Sequence, residues 1–405
     1  MSILPPYGLM TRYRKIQVKY MWFILGAYMS KICILVRVLW PGGPQRIAFE
    51  YAKTLRSAGN IVDLIFIRET ERFPKDFTST EFALLYSTDI KDRKSERILN
   101  KLTSHFNPGR GRDATVDLDL ILKFELSKDK YDFIIYFDQF TSLFSLIGKI
   151  RANSEKIVYI HETAFREKSH IKKIIEKISL YRAKYIITNS NYNKRILSLN
   201  GYNNVYVVYP GMEIKDHVND FPSRRNECIF VTVFEPWRKP EIIIEIAKYL
   251  KNGKIVLAGQ WADIKYREHI ESLIENLNLK DRIHITGKLS QKQLEDLYSF
   301  SKVALRFGFD EHGPGMGSLE SLSFGLPLIV NEEIGVRELL DKYNYGLIFN
   351  DREYIKIANV IDELFANEKK WTLFSNQSLK IAKENSWEMN NKELLRILNF
   401  GKGEL

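Results

Sequence analysis

The sequence predicts an α/β protein built from two doubly wound, parallel-sheet domains. Three observations carry this. The chain has 405 residues, more than a single hydrophobic core serves well. From Lys31 it runs apolar strand, glycine turn, amphipathic helix and strand, the repeating unit of an open parallel sheet. From Cys228 the same rhythm starts again.

Composition narrows the class. Hydrophobic residues make up 45% and charged residues 27%, as in ordinary globular domains. The two cysteines, Cys33 and Cys228, each sit in an apolar run that reads as an inner strand. That argues against a disulfide and for a reducing, cytoplasmic compartment. No Cys/His cluster has metal-ligand spacing, so no metal site is expected. The net charge of +11 is local. Residues 166–195 hold nine Lys/Arg against two Glu (+7), and residues 1–20 add +4, which leaves the rest neutral. Concentrated basic charge fits an anionic surface, either nucleic acid or acidic lipid. No aromatic stacking platform accompanies it, which disfavours single-stranded nucleic acid as a partner.

In chain order, residues 1–28 are basic and then apolar over 21–28, a run too short to span a bilayer. The segment reads either as sequence upstream of a true start at Met29 or as a surface anchor. Strand 32–39, the Gly42-Gly43 turn, helix 45–58 and strand 61–67 follow. Residues 107–113 form a basic loop. Strands are expected at 131–137 and 156–160, the second ending in His161, and open sheets place chemistry at such strand ends. Residues 166–182 read as a basic amphipathic helix. Ile171, Ile174, Ile175 and Ile178 share one face, while Lys172, Lys173 and Lys177 occupy the other. The helix suits docking on anionic lipid headgroups. Strands 183–189 and 205–209 complete the first half, and polar residues 217–226, with Pro222, read as a linker.

The second half begins with strand 228–234, a loop carrying Arg238 and Lys239, and helix 241–250. Strand 254–258, helix 266–277, strand 283–286, helix 291–300 and strand 303–307 come next. Then Gly313, Gly315 and Gly317 open a short helix over 318–324, which Gly325 ends and Pro327 blocks before strand 328–330. A glycine-rich turn opening a helix offers free N–H groups and a positive dipole end to phosphate. The flanking carboxylates, Glu311 and Glu320, would repel phosphate but accept hydrogen bonds from sugar hydroxyls. A nucleotide sugar has both features. A helix is expected from about residue 332, then helices at 354–366 and 370–384, and a last one to about 398.

Glu311-His312, Gly315-Met316-Gly317 and Glu320 resemble the paired-glutamate motif of glycosyltransferase family 4, retaining enzymes of the GT-B fold. The glutamates of that family usually stand eight apart, whereas Glu311 and Glu320 are nine apart, with one residue inserted near Gly313-Pro314. An ungapped register puts His312 in the first position; Glu311 is preferred, because Glu-His followed by Gly-Met-Gly and then Glu reproduces the surrounding pattern, with His312 kept as the alternative. The resemblance implies two Rossmann-like domains facing a central cleft, and it covers about residues 30–400. Residues 29–216 would form the acceptor domain, 217–226 the linker and 227–384 the nucleotide-sugar domain. Residues 385–405 would hold a helix crossing back to the first domain.

The resemblance also implies roles. Glu311 and His161 are the candidate catalytic residues, on the transferred sugar and the reacting face. Gly42, Gly43, Arg238, Lys239, His312, Gly315, Met316, Gly317 and Glu320 are the candidate donor-binding set, with Glu320 on the ribose. Arg238 aligns with the family's diphosphate-binding lysine, whereas Val233 stands where its arginine is expected. The implied activity is metal-independent hexosyl transfer to a glycan or polyprenyl-linked acceptor, with no cofactor beyond the nucleotide-sugar co-substrate. Peripheral contact with the inner face of a membrane would run through residues 166–182. Two other readings remain: a non-catalytic nucleotide-sugar-binding subunit, which Val233 and the insertion favour, and a GT-B sugar epimerase, for which the sequence nominates no base.

Overall fold

The computed structural model describes residues 29–39, 42–69, 83–84, 131–138, 141–142, 145, 154–161, 165 and 170–400. The segment 1–28, the loop 107–113 and residues 166–169 lie outside the described residues.

The first sheet contains β1 (Lys31–Leu39), β2 (Ile61–Glu69), β3 (Ala83–Leu84), β4 (Phe133–Phe137), β5 (Glu155–Ile160), β6 (Tyr185–Thr188) and β7 (Val205–Val207), ordered 3-2-1-4-5-6-7. The second contains β8 (Arg225–Val231), β9 (Lys254–Ala258), β10 (Ile283–Gly287), β11 (Ser301–Arg306), β12 (Leu328–Asn331) and β13 (Ile348–Phe349). Its order is 10-9-8-11-12-13, with every pairing parallel. Counted from its own first strand, the second sheet also begins 3-2-1-4-5-6. This is the doubly wound order, in which ligands bind where the strand order reverses. In the second sheet that point lies between β8 and β11.

The sequence explains why these segments pair as they do. Every residue of β4, β11 and β12 is buried. Continuous apolar runs without alternation require cover on both sheet faces, and helices supply it. Cys33 in β1 and Cys228 in β8 are fully buried and form no disulfide, as the apolar runs around them predict.

Between the strands lie α1 (Gly43–Ser57), α2 (His170–Leu180), α3 (Asn191–Leu199), α4 (Pro240–Tyr249), α5 (Ile264–Asn276), α6 (Gln291–Phe300), α7 (Met316–Ser323) and α8 (Arg337–Lys342). The chain ends in α9 (Tyr354–Ala366), α10 (Glu368–Glu384) and α11 (Trp387–Phe400). By compactness the described residues fall into two units: those up to Val158 with Ile178–Lys184, and Tyr159–Lys177 with Tyr185 onward.

Two elements differ from expectation for physical reasons. β8 stops at Val231 because Phe234 leaves the ladder and bridges to Trp261. The helix expected from residue 332 starts at Arg337, because Ile334 bridges to Glu311 and the Gly335 N–H donates to the Glu311 carbonyl. On α2, Ile174 and Ile178 are 56% and 44% exposed.

Candidate active site at the second switch point

The site grows from the carboxyl ends of β8 and β11. The Phe309 N–H donates to the Trp237 carbonyl at 2.9 Å, tying the loop after β11 to the loop after β8. Gly308 makes this approach feasible, since a Cβ there would fall 2.7 Å from that carbonyl oxygen. The tie brings Arg238 beside Glu311, Nη1 to Oε2 2.5 Å. Arg306, the last residue of β11, meets the same carboxylate from behind. Its Nε donates to Oε2 at 3.0 Å, and its Nη2 to Oε1 and Oε2 at 2.7 and 2.8 Å. Its Nη1 donates to the Val231 carbonyl at 3.1 Å.

Two guanidinium groups and one carboxylate thus share a nearly dry site with one net positive charge. Burial alone would raise the Glu311 carboxyl, but Arg306 and Arg238 outweigh it and hold it below the usual carboxylate range. Burial, and then the like charge of Arg306, pull the Arg238 guanidinium down to about 10, against the attraction of Glu311 and, more weakly, of Glu235. Surplus buried positive charge is costly on its own and favours an anion.

The start of α7 closes onto this cluster. A Cβ on Gly315, its N-cap, would sit 2.4 Å from Glu311 Oε1 and 3.0 Å from Arg306 Nη2. A Cβ on Gly317 would sit 2.8 Å from the Val231 carbonyl oxygen. These glycines therefore serve the protein's own packing. Ser318 and Leu319 donate to the Gly315 carbonyl, whereas the N–H groups of Met316 and Gly317, at the first two helical positions, have no intrahelical acceptor. Glu320 lies one turn further along, where its Oε2 accepts from the Tyr298 hydroxyl at 3.1 Å.

The other candidates are distributed around this centre. The His312 ring stacks on Tyr192 with centroids 3.8 Å apart, and its Nε2 lies 3.4 Å from Asp310 Oδ1. His161 follows β5, and its carbonyl accepts from Asn189 Nδ2 at 3.1 Å. A Cβ on Gly313 would meet that same Asn189 amide at 2.2 Å, so Asn189 links His161 to the motif loop. Lys239 turns away from the cluster. It pairs with Asp351 at 3.1 Å and lies over the Phe309 ring. Val233 is 49% exposed. Gly42 and Gly43 belong to the first unit, where Gly42 is the N-cap of α1 after β1.

Arg306, Asn189 and Tyr192 were not singled out from sequence, nor were Tyr209 and Glu338. The Glu338 carboxylate accepts from the Tyr209 hydroxyl and from the Asn191 N–H, bracing the start of α3. A charged residue closing the apolar run of β11 was the one available signal, and it marked Arg306.

Residues 212–380, which enclose this whole cluster, match the family described as Glycosyl transferases group 1. The fold is GT-B. HepE of Anabaena, solved in complex with UDP and glucose, superposes with a TM-score of 0.72 over 91% of this chain and 99% of its own, at 16% identity. In sequence, a probable sucrose-phosphate synthase of Thermosipho melanesiensis is 26% identical over 242 residues, 55% of this chain and 56% of the relative. A GDP-Man:Man(3)GlcNAc(2)-PP-Dol alpha-1,2-mannosyltransferase of Dictyostelium discoideum is 22% identical over 287 residues, 62% of this chain and 50% of the relative. The chain spans about half the length of the curated relatives it matches.

Proposed function

We propose that the protein is a retaining, metal-independent glycosyltransferase of family 4. It would move a sugar from a nucleotide-sugar donor to a glycan or lipid-linked acceptor. The observation that carries this reading is the net-positive Arg238–Glu311–Arg306 cluster at the start of α7, beside the switch point of the second sheet. Negative charge develops on the departing nucleotide diphosphate during transfer, and fixed positive groups there act without reorganising. Arg238 and the first N–H groups of α7 take the diphosphate, and Glu320 takes the ribose hydroxyls. The loop carrying Glu311 and His312 takes the transferred sugar, and His161 lines the reacting face. The acceptor oxygen attacks from the leaving-group side as the bond from the sugar's anomeric carbon to the diphosphate breaks, and its proton passes to a diphosphate oxygen. Residues 29–216 serve as the acceptor domain and 227–384 as the donor domain.

A second reading, a non-catalytic nucleotide-sugar-binding subunit, draws on Val233 and on Lys239 being held by Asp351. Nucleotide release from UDP-, GDP- and ADP-sugars, with lipid-linked acceptor present, separates the two. Wild type should release one nucleotide, and Arg238→Ala should cut kcat/KM about tenfold to hundredfold, the worth of a charge-assisted hydrogen bond. Tight donor binding without release would favour the second reading, and absence of binding to any donor would reject both.

Membrane contact belongs to the same proposal. Among the described residues no helix is long and apolar enough to cross a membrane. On α2, Ile174, Ile178 and nearby Tyr181 are exposed beside the exposed Lys177 and Arg182. Apolar side chains flanked by basic ones suit the peripheral, cytoplasmic face of an anionic bilayer. Replacing Lys172, Lys173 and Lys177 by Gln should weaken sedimentation with phosphatidylglycerol vesicles about a hundredfold, at about 1 kcal/mol per charge. Unchanged sedimentation would sink this contact.

A further inference from the structure

β11 ends on a charge that the proposed chemistry does not yet use. Arg306 is only 4% exposed, yet it sits at the carboxyl end of a central strand, bonded to the last carbonyl of β8 and forked onto Glu311. Arg238 meets the same carboxylate through one nitrogen, and its Nε is buried without a hydrogen-bond partner among the described residues. The two arginines therefore hold Glu311 unequally. Arg306 is the bidentate partner, with both fork nitrogens engaged. Arg238 is the looser one.

Charge then decides the consequence. Paired with Glu311 alone, Arg238 would be neutralised. Lys239 is held by Asp351, and Val233 supplies no charge in the loop after β8. With Arg306 present, the three groups keep one positive charge, partly screened for Arg238 by Glu235, and Gly315 lets Glu311 and Arg306 lie against the start of α7.

We propose that Arg306 is a positioning residue for the donor diphosphate: its fork occupies Glu311, which lies against the start of α7, and leaves the neighbouring Arg238 cationic. Arg306 thereby supplies from β11 the charge that is missing at Val233. This rests on the nucleotide-sugar reading, and it gives Glu311 a second duty as the buttress between two guanidinium groups.

Calorimetric titration of UDP, GDP and ADP into the full chain tests it, using wild type, Arg306→Met, Arg306→Lys and the double variant Arg306→Met/Glu311→Gln. The Met variant should bind the preferred nucleotide about tenfold to hundredfold more weakly, because Glu311 now cancels Arg238. The double variant restores one net positive charge and should return to within a few-fold of wild type. The Lys variant keeps the charge without the fork and should fall between. Lowering the pH should narrow the gap between Arg306→Met and wild type, since protonating Glu311 frees Arg238. A purely structural arginine would show neither the rescue nor the pH effect. Wild-type affinity in Arg306→Met, or no gain in a folded double variant together with a pH-independent gap, overturns the inference. Failure of wild type to bind any of the three nucleotides would instead remove the nucleotide-sugar reading on which it rests.

Discussion

Glu311→Ala is expected to lower the free energy of unfolding by about 3–5 kcal/mol, read from urea denaturation at neutral pH. The cost arises because removing the carboxylate leaves two buried guanidinium groups facing each other. Arg238 and Arg306 already repel, and Glu311 is the group that screens them. The effect has a definite pH dependence. The folded Glu311 carboxyl titrates below its unfolded value, so its stabilisation is complete above the unfolded pKa and is lost as pH falls through the folded one. The gap between wild type and Glu311→Ala should therefore be widest near neutrality and shrink below about pH 4. A loss under about 1 kcal/mol, flat with pH, would mean that the two arginines find other partners or water.

The second large effect is expected at Gly259, which follows β9 at a backbone φ of +144°. A Cβ there would lie 1.7 Å from the Thr232 carbonyl oxygen. Neither side is free to retreat, because the Gly259 N–H donates to Gly287 and the Thr232 N–H to Ala258. Gly259→Ala combines backbone strain with a backbone clash and should cost about 3 kcal/mol or more. Gly201→Ala supplies the control. Its φ is +90°, but nothing lies within 4 Å of the added Cβ, so about 1 kcal/mol of conformational cost is expected. Equal losses at the two positions, measured by the same denaturation, would show that the clash relaxes. Thr232 leads directly into the loop of Arg238, so Gly259→Ala should also weaken donor binding while Gly201→Ala should not.

Much of the second half was legible before the structure. The strands expected at 254–258 and 283–286 and the helices at 291–300 and 354–366 follow from apolar periodicity, and the structure adds a reciprocal capping box between Ser290 and Gln293. Glu311, Glu320 and the glycines of α7 stand close together in the chain, so their spacing alone singled them out. The difficult cases were of another kind. Asn189 and Gly313 meet from segments more than a hundred residues apart, and Arg306 finds its carbonyl partner at Val231, in a different strand. The isoleucines of α2 carried a sound helical period, but the period does not say which face is covered.

The sequence by itself determined where most strands and helices form, that the chain repeats one strand–turn–helix rhythm in two halves, and that residues 311–320 carry the candidate motif. Those properties are written in local periodicity, turn residues and short-range spacing. Only the tertiary structure decided what each charge does. The register of β11 against β8 set Arg306 behind Glu311, the tie between Phe309 and Trp237 set Arg238 in front of it, and Asp351 drew Lys239 aside. An ion pair depends on where strand ends come to rest in space, and no local pattern in the chain records that distance.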